Sequence, residues 1–368
     1  MVQSSKPPAN AFVARARKIY NPIGFSKGYN FVLWFIFLGA FFGFTLARLQ
    51  YLNIWGVFCG SNGSDGALPG ECYYYTNFDA AKIGIVLHLG CILPAALLAC
   101  LQFIPVVRYK AMIVHRVNGW IVLLLSLLGT IGALMIARHA FGGGVDIQTA
   151  MGLLGIMFVG SLVLAVINIK RLQIEQHRAW MLRAWFYRNM LADNYGIAKA
   201  GAIITMRIIM IIAVIILSKI GGYYTAQPCE KIEYIFRSAN TTMALFPQCA
   251  EFFSGANPSQ NVLVNADYNG NVVEIASAFN LTFGPAGWLA VALHAVGIEI
   301  YLHLTPAEAE RLRKVSYQRQ AEAGMRHPGR GGLTADRLGD ADTWQPQETK
   351  GKEAPAAESD SQLRTASL

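Results

Sequence analysis

Six stretches of the chain are apolar almost without interruption: residues 31–51, 80–104, 119–137, 151–169, 202–217 and 285–304. A bilayer crossing needs roughly 20 such residues at about 1.5 Å each. The pattern predicts an all-α polytopic membrane bundle of six transmembrane helices. The first run has no small-residue cleavage site and reads as a signal anchor. Three regions follow: an N-terminal tail (1–30), the transmembrane domain (31–304) and a C-terminal tail (305–368).

Between the fifth and sixth runs, residues 222–284 are too polar to span and predict a long loop. Within it, 262–268 and 271–275 flank Asn269-Gly270, a pattern that predicts a β-hairpin. The C-terminal tail opens on Thr305-Pro306-Ala307-Glu308, a helix start that runs to about Ala323-Gly324. From Met325 onward Gly, Pro, Ala, Ser and charge predict disorder.

Composition agrees with the apolar pattern. The 368 residues are 54% hydrophobic and 14% charged, against roughly 25% charged in a soluble domain, and the mean hydropathy is +0.36. A soluble enzyme is excluded. The net charge of +9 is no nucleic-acid signal, because its cations flank the apolar runs. Arg15, Arg17, Lys18 and Lys27 precede the first run; Arg108, Lys110 and Arg116 lie between the second and third; Lys170, Arg171, Arg178, Arg183 and Arg188 lie between the fourth and fifth. Both termini are therefore expected in the cytosol.

Cys59 and Cys72 in the first non-cytosolic loop, and Cys229 and Cys249 in the third, are expected to form lumenal disulfides. The sequons at Asn62, Asn240 and Asn280 fall on the same side and predict glycosylation. Secretory-pathway endomembrane or plasma membrane is the expected location.

Ionisable groups within spans are costly and mark function. They are His88, Arg207, His294 and Glu299, with Arg207 or His303 as the expected partner of Glu299. The histidines sort into two layers: His88, His139 and His294 towards the lumen, His115, His177 and His303 towards the cytosol. Imidazoles from two helices can ligate haem iron, and Arg116 and Arg178 beside their histidines can meet its propionates. This pattern predicts haem b on His88, His115, His139 and His177, with His115 and His177 as one axial pair and His139 or His294 as the partner of His88. A Gly-x-Ser-x-Gly elbow is absent, and Gly142-Gly143-Gly144 reads as a turn.

Several segments carry a resemblance. They are 87–94, 101–105, His115-Arg116-Val117-Asn118-Gly119, His177-Arg178-Ala179-Trp180-Met181-Leu182-Arg183, 293–301 and 304–308. They resemble the fungal integral-membrane family catalogued as domain of unknown function 2306, over nearly the whole chain. The resemblance implies a membrane fold and location and brings no established activity. Its motif residues fall on His88, His115, Arg116, Gly119, His177, Arg178, Trp180, Met181 and Arg183. One departure is a polar stretch, 188–199, between Trp185-Phe186-Tyr187 and the fifth run.

The leading expectation is a haem-b transmembrane electron carrier, a membrane oxidoreductase fed by a small-molecule electron donor. Beside it stand a cofactor-free transporter or endomembrane accessory protein, and a membrane-embedded biosynthetic enzyme acting on a lipophilic substrate through His88, His294 and Glu299.

Overall fold

A computed structural model describes residues 7–25, 27–60, 66–188, 201–330 and 334–346. The sequon at Asn62 and most of the 188–199 stretch lie outside the described residues. Two compact units form: residues 1–165 with 179–304, and residues 166–178 with 305–368.

The first unit begins with α1 (Ala11–Ile23), within the N-terminal tail. Asn10 caps it by accepting the Val13 N–H. Then come α2 (Gly28–Arg48), a short α3 (Glu71–Asn77), α4 (Asp79–Gln102), α5 (Pro105–Lys110) and α6 (Met112–Ile136). The helices α7 (Val145–Lys170), α8 (Ile174–Arg188) and α9 (Gly201–Ile220) follow, of which residues 166–178 belong to the second unit. Among the described residues, five helical segments are long and apolar enough to cross a membrane: 28–52, α4, α6, α7 and the final span. The expected fifth run folds as α9.

Helices α4 and α6 pack backbone to backbone. A Cβ on Gly132 would lie 2.5 Å from His88 N and 2.6 Å from Gly84 O. Only glycines permit that approach, as is usual where lipid supplies no hydrophobic drive between helices. A second apolar core joins Leu154 of α7, Met206, Met210 and Val214 of α9, and Phe283, Ala290 and Ile298 of the final span. The final span is thus part of the core.

The loop between α9 and the final span forms a small capping domain. Strand β1 (Tyr224–Pro228) pairs antiparallel with β2 (Asn261–Asn265), Tyr224 opposite Asn265. Between them lie α10 (Cys229–Phe236), α11 (Ala239–Leu245) and α12 (Ala250–Phe253). Cys229, Ile232, Phe246, Cys249, Val262, Val264 and Val273 are its buried core.

The expected hairpin around Asn269-Gly270 does not form. Asn271 instead starts α13 (Val272–His303), with a full capping box: its side chain accepts from Glu274 N and the Glu274 carboxylate accepts from Asn271 N. Local capping outcompetes the turn, and β2 finds its partner upstream. At 32 residues α13 is about 48 Å long, so its first turns stand outside a hydrocarbon core of about 30 Å.

In the second unit α14 (Pro306–Glu322) carries proline at its first position, as expected. Within the stretch expected to be disordered, residues 335–338 form a short helix, α15 (Ala335–Leu338), held by Arg313 to Asp336 at 3.2 Å.

Candidate functional site

Both expected disulfides are present, Cys59–Cys72 and Cys229–Cys249. Each is next to one half of a buried cluster at the disulfide-bearing end of the first unit. Cys72 lies between Glu71 and Tyr73 in α3, and Cys229 lies two residues before Lys231 in α10.

Glu71 and Lys231 are only 4% and 3% exposed. The Glu71 carboxylate accepts the backbone N–H of Phe141 at 2.6 Å and of Leu68 at 3.3 Å. Lys231 donates to Gln227 Oε1 at 2.9 Å, and its ammonium lies 5.5 Å from the Tyr74 ring centroid. Its stem lies across Gly70, where a Cβ would come within 2.4 Å of Lys231 Cε. Gly70 also has φ +84°, so both space and backbone demand glycine. Burial lowers the Lys231 pKa to about 8, with Glu71 partly opposing the shift.

Aromatic rings surround these charges. The His139 imidazole stacks on Tyr74 at 4.6 Å and on Phe78 at 5.6 Å. Tyr73 packs on Tyr234. Burial lowers the His139 pKa, and Arg138 adds to this, so the ring is neutral near pH 7. Burial also raises Tyr73 and Tyr74, and Tyr73 is raised further by its hydrogen bond with Glu230. From Lys231 a polar chain continues through Gln227 to Thr225 Oγ1 at 2.9 Å and on to Ser277 Oγ of α13 at 2.5 Å. The site therefore combines a cation with a perturbed pKa, a carboxylate, a neutral imidazole and an apolar wall.

The sequence singles out His139 only as a haem ligand, and it gives no pointer to Lys231, Glu71 or Tyr74 as its neighbours. Nothing in one dimension distinguishes Lys231 from a solvated loop lysine, because its burial is a tertiary fact. The adjacent cysteines were the usable signal.

The other expected residues lie elsewhere. His88 is half-buried on α4, with Nδ1 2.8 Å from Gly129 O of α6. His115 is half-buried and Arg116 exposed at the start of α6, and the His115 carbonyl accepts from Gln102 at 3.1 Å. His177 and Arg178 belong to the second unit. Arg207 and His294 are half-buried on α9 and α13, and His303 is exposed.

Glu299 pairs with Arg183, not with Arg207 or His303. The pair is bidentate at 2.6 and 2.8 Å, and the guanidinium lies over the Trp180 ring at 4.6 Å. Only packing of the 179–188 helix against α13 brings these two residues together. Asn240 is exposed on α11, as a glycan acceptor must be. Asn280 is 8% exposed inside α13 and lies beneath Gly142, so a glycan there is incompatible with the packing. Among the described residues no group of three His, Cys, Asp or Glu side chains is placed to hold a metal ion.

The second unit has its own polar core. Glu175 accepts from Ser316 and Gln173, and Gln320 donates to Gln173 Oε1 at 2.8 Å and to Arg171 O at 3.0 Å. Gly329 N donates to Gln320 Oε1 at 2.7 Å. Burial raises the Glu175 pKa.

These features define a multi-pass helical membrane protein with a disulfide-braced capping domain. Residues 85–226 match the family described as predicted membrane protein (DUF2306), as the motifs imply. The chain is 25% identical over 331 residues to Ava biosynthesis cluster protein G of Aspergillus versicolor, covering 80% of this chain and 94% of that protein. No solved structure matches the chain.

Proposed function

We propose that this chain is a six-span membrane enzyme of a biosynthetic pathway, performing acid–base chemistry on a lipophilic substrate at its disulfide-bearing end. One observation carries the reading: Lys231, 3% exposed beside Glu71 and over Tyr74. Burying a lysine this deeply is expensive and is sustained where function requires it. With a pKa near 8 it exchanges protons close to neutral pH, while neutral His139 offers a complementary base. Tyr73, Tyr74, Phe78 and Tyr234 suit an apolar substrate drawn from the bilayer. The biosynthetic-cluster name of the Aspergillus versicolor relative supports the same class.

The proposal includes orientation, with both termini cytosolic and the disulfide-bearing end in the lumen or exterior. Basic connections on one side and disulfides with exposed Asn240 on the other support it. Terminal tags accessible to protease in sealed microsomes are expected; protected tags refute it.

The activity test compares the metabolites of cells carrying wild type, a null allele and Lys231→Met. Lys231→Met is expected to reproduce the null profile while the purified protein remains folded and at least as thermostable as wild type. A wild-type metabolite profile at equal protein level overturns the proposal.

A second reading, haem ligation, draws on His88, whose Nδ1 is 2.8 Å from Gly129 O. Such a backbone partner orients metal-binding imidazoles. Purified protein with no Soret band, oxidised or reduced, ends that reading.

A further inference from the structure

Helix α1 is two-faced. Its inner face turns half-buried Val13 and Ala16 and buried Tyr20 towards the protein. Tyr20 stacks near Phe31 of α2 at 6.0 Å. Just past the helix, a Cβ on Gly24 would come within 2.9 Å of Pro105 in α5. The helix is therefore anchored to the first residues of α2 and to α5.

Beside that inner face, Phe12 and Ile19 stand 77% and 63% exposed, seven residues and two turns apart on one stripe. Arg15 and Lys18 are exposed on the face turned away from the protein, with Arg15 adjoining Phe12 and Ile19 at helical spacing. Lys27, Lys110 and Arg116 are exposed on the adjoining segments, and so is Ile113, at 77%. Neither residues 7–30 nor residues 103–120 contain an Asp or Glu.

We propose that α1 lies in the membrane surface and, with the last turn of α5 and the start of α6, holds the phosphate headgroups of anionic phospholipids. The apolar stripe identifies the occupant as lipid. Phe12 and Ile19 sit beside the entry of an apolar helix that begins at Gly28, where exposed aromatic and branched side chains enter the acyl boundary. The cations beside them lie at headgroup level. A free anion would leave Phe12, Ile19 and Ile113 in water.

The test uses the purified full-length protein in neutral detergent, with thermal unfolding followed during titration with phosphatidylserine, phosphatidylcholine or inorganic phosphate. Phosphatidylserine is expected to raise the Tm; the other two are not. In the double variant Arg15→Gln/Lys18→Gln, half-saturation is expected to need roughly thirtyfold more phosphatidylserine. For wild type the effect is expected to weaken as salt is added. Equal stabilisation by phosphatidylcholine, stabilisation by inorganic phosphate alone, an unchanged double variant or a salt-insensitive effect each overturns the proposal.

Discussion

The carboxylate of Glu71 accepts the backbone N–H of Phe141 at 2.6 Å, tying the first turn of α3 to the loop after α6. Phe141 has φ +50°, a conformation that non-glycine residues adopt reluctantly. Its ring stacks flat on Phe283 of α13. One buried carboxylate thus holds a strained residue that connects the loop to the final span.

Glu71→Ala leaves the buried Phe141 N–H without its acceptor and is expected to destabilise the protein by about 1–3 kcal/mol. Glu71→Gln keeps an acceptor oxygen and is expected to lose less. Thermal unfolding of the two variants in the same detergent checks the order.

Lys231 gives a pH signature. Its pKa is about 8 in the folded chain and 10.5 ordinarily, so between those values the unfolded chain holds more protons. Stability is therefore expected to rise from pH 8 to pH 10. Lys231→Met is expected to remove that slope and, because it leaves the buried Glu71 carboxylate without its cation, to stabilise the protein at pH 7 by less than the roughly 3 kcal/mol that the Lys231 shift alone represents. Melting curves across the range measure both effects.

Glu175 has the opposite slope. Burial raises its folded pKa above the ordinary 4.5. Its contribution to the second unit is therefore fully present below that value and is lost as pH rises through the raised one. Glu175→Gln, still able to accept from Ser316, is expected to abolish the dependence. Hydrogen exchange at 306–322, measured from pH 4 upward, reports it.

The α4–α6 contact separates two glycines. A Cβ at Gly132 meets backbone, His88 N and Gly84 O, whereas one at Gly129 meets first the movable Cδ1 of Ile92 at 2.9 Å. Gly132→Ala is expected to cost about 1–3 kcal/mol and Gly129→Ala less. Comparing their unfolding temperatures decides the order.

The Cys229–Cys249 bridge closes a loop with sequence separation 20, worth roughly 3 kcal/mol. The double alanine variant is expected to loosen the capping domain by that amount. Both bridges are expected to resist alkylation until reduced; free thiols at these positions refute the pairing.

Most of the architecture was legible because it is local. A long apolar run must form a helix in lipid, since only a helix satisfies its own backbone there, and α4, α6 and α7 lie where their runs predict. The cysteine pairs were legible for a similar reason, each closing a short loop between consecutive apolar runs. The hairpin failed because Asn269-Gly270 is also followed by a capping box at Asn271 and Glu274, and two local signals competed for the same residues.

The chain by itself thus determined which segments are helical and apolar, which connections carry the cations and which cysteines pair. Tertiary structure alone decided that Arg183 faces Glu299, that β1 pairs with β2 across the intervening helices, and that Lys231 is buried while other lysines are solvated. Those facts depend on which faces meet. Residues far apart in sequence share no periodicity that would record their contact, and burial is a property of the neighbours, not of the residue.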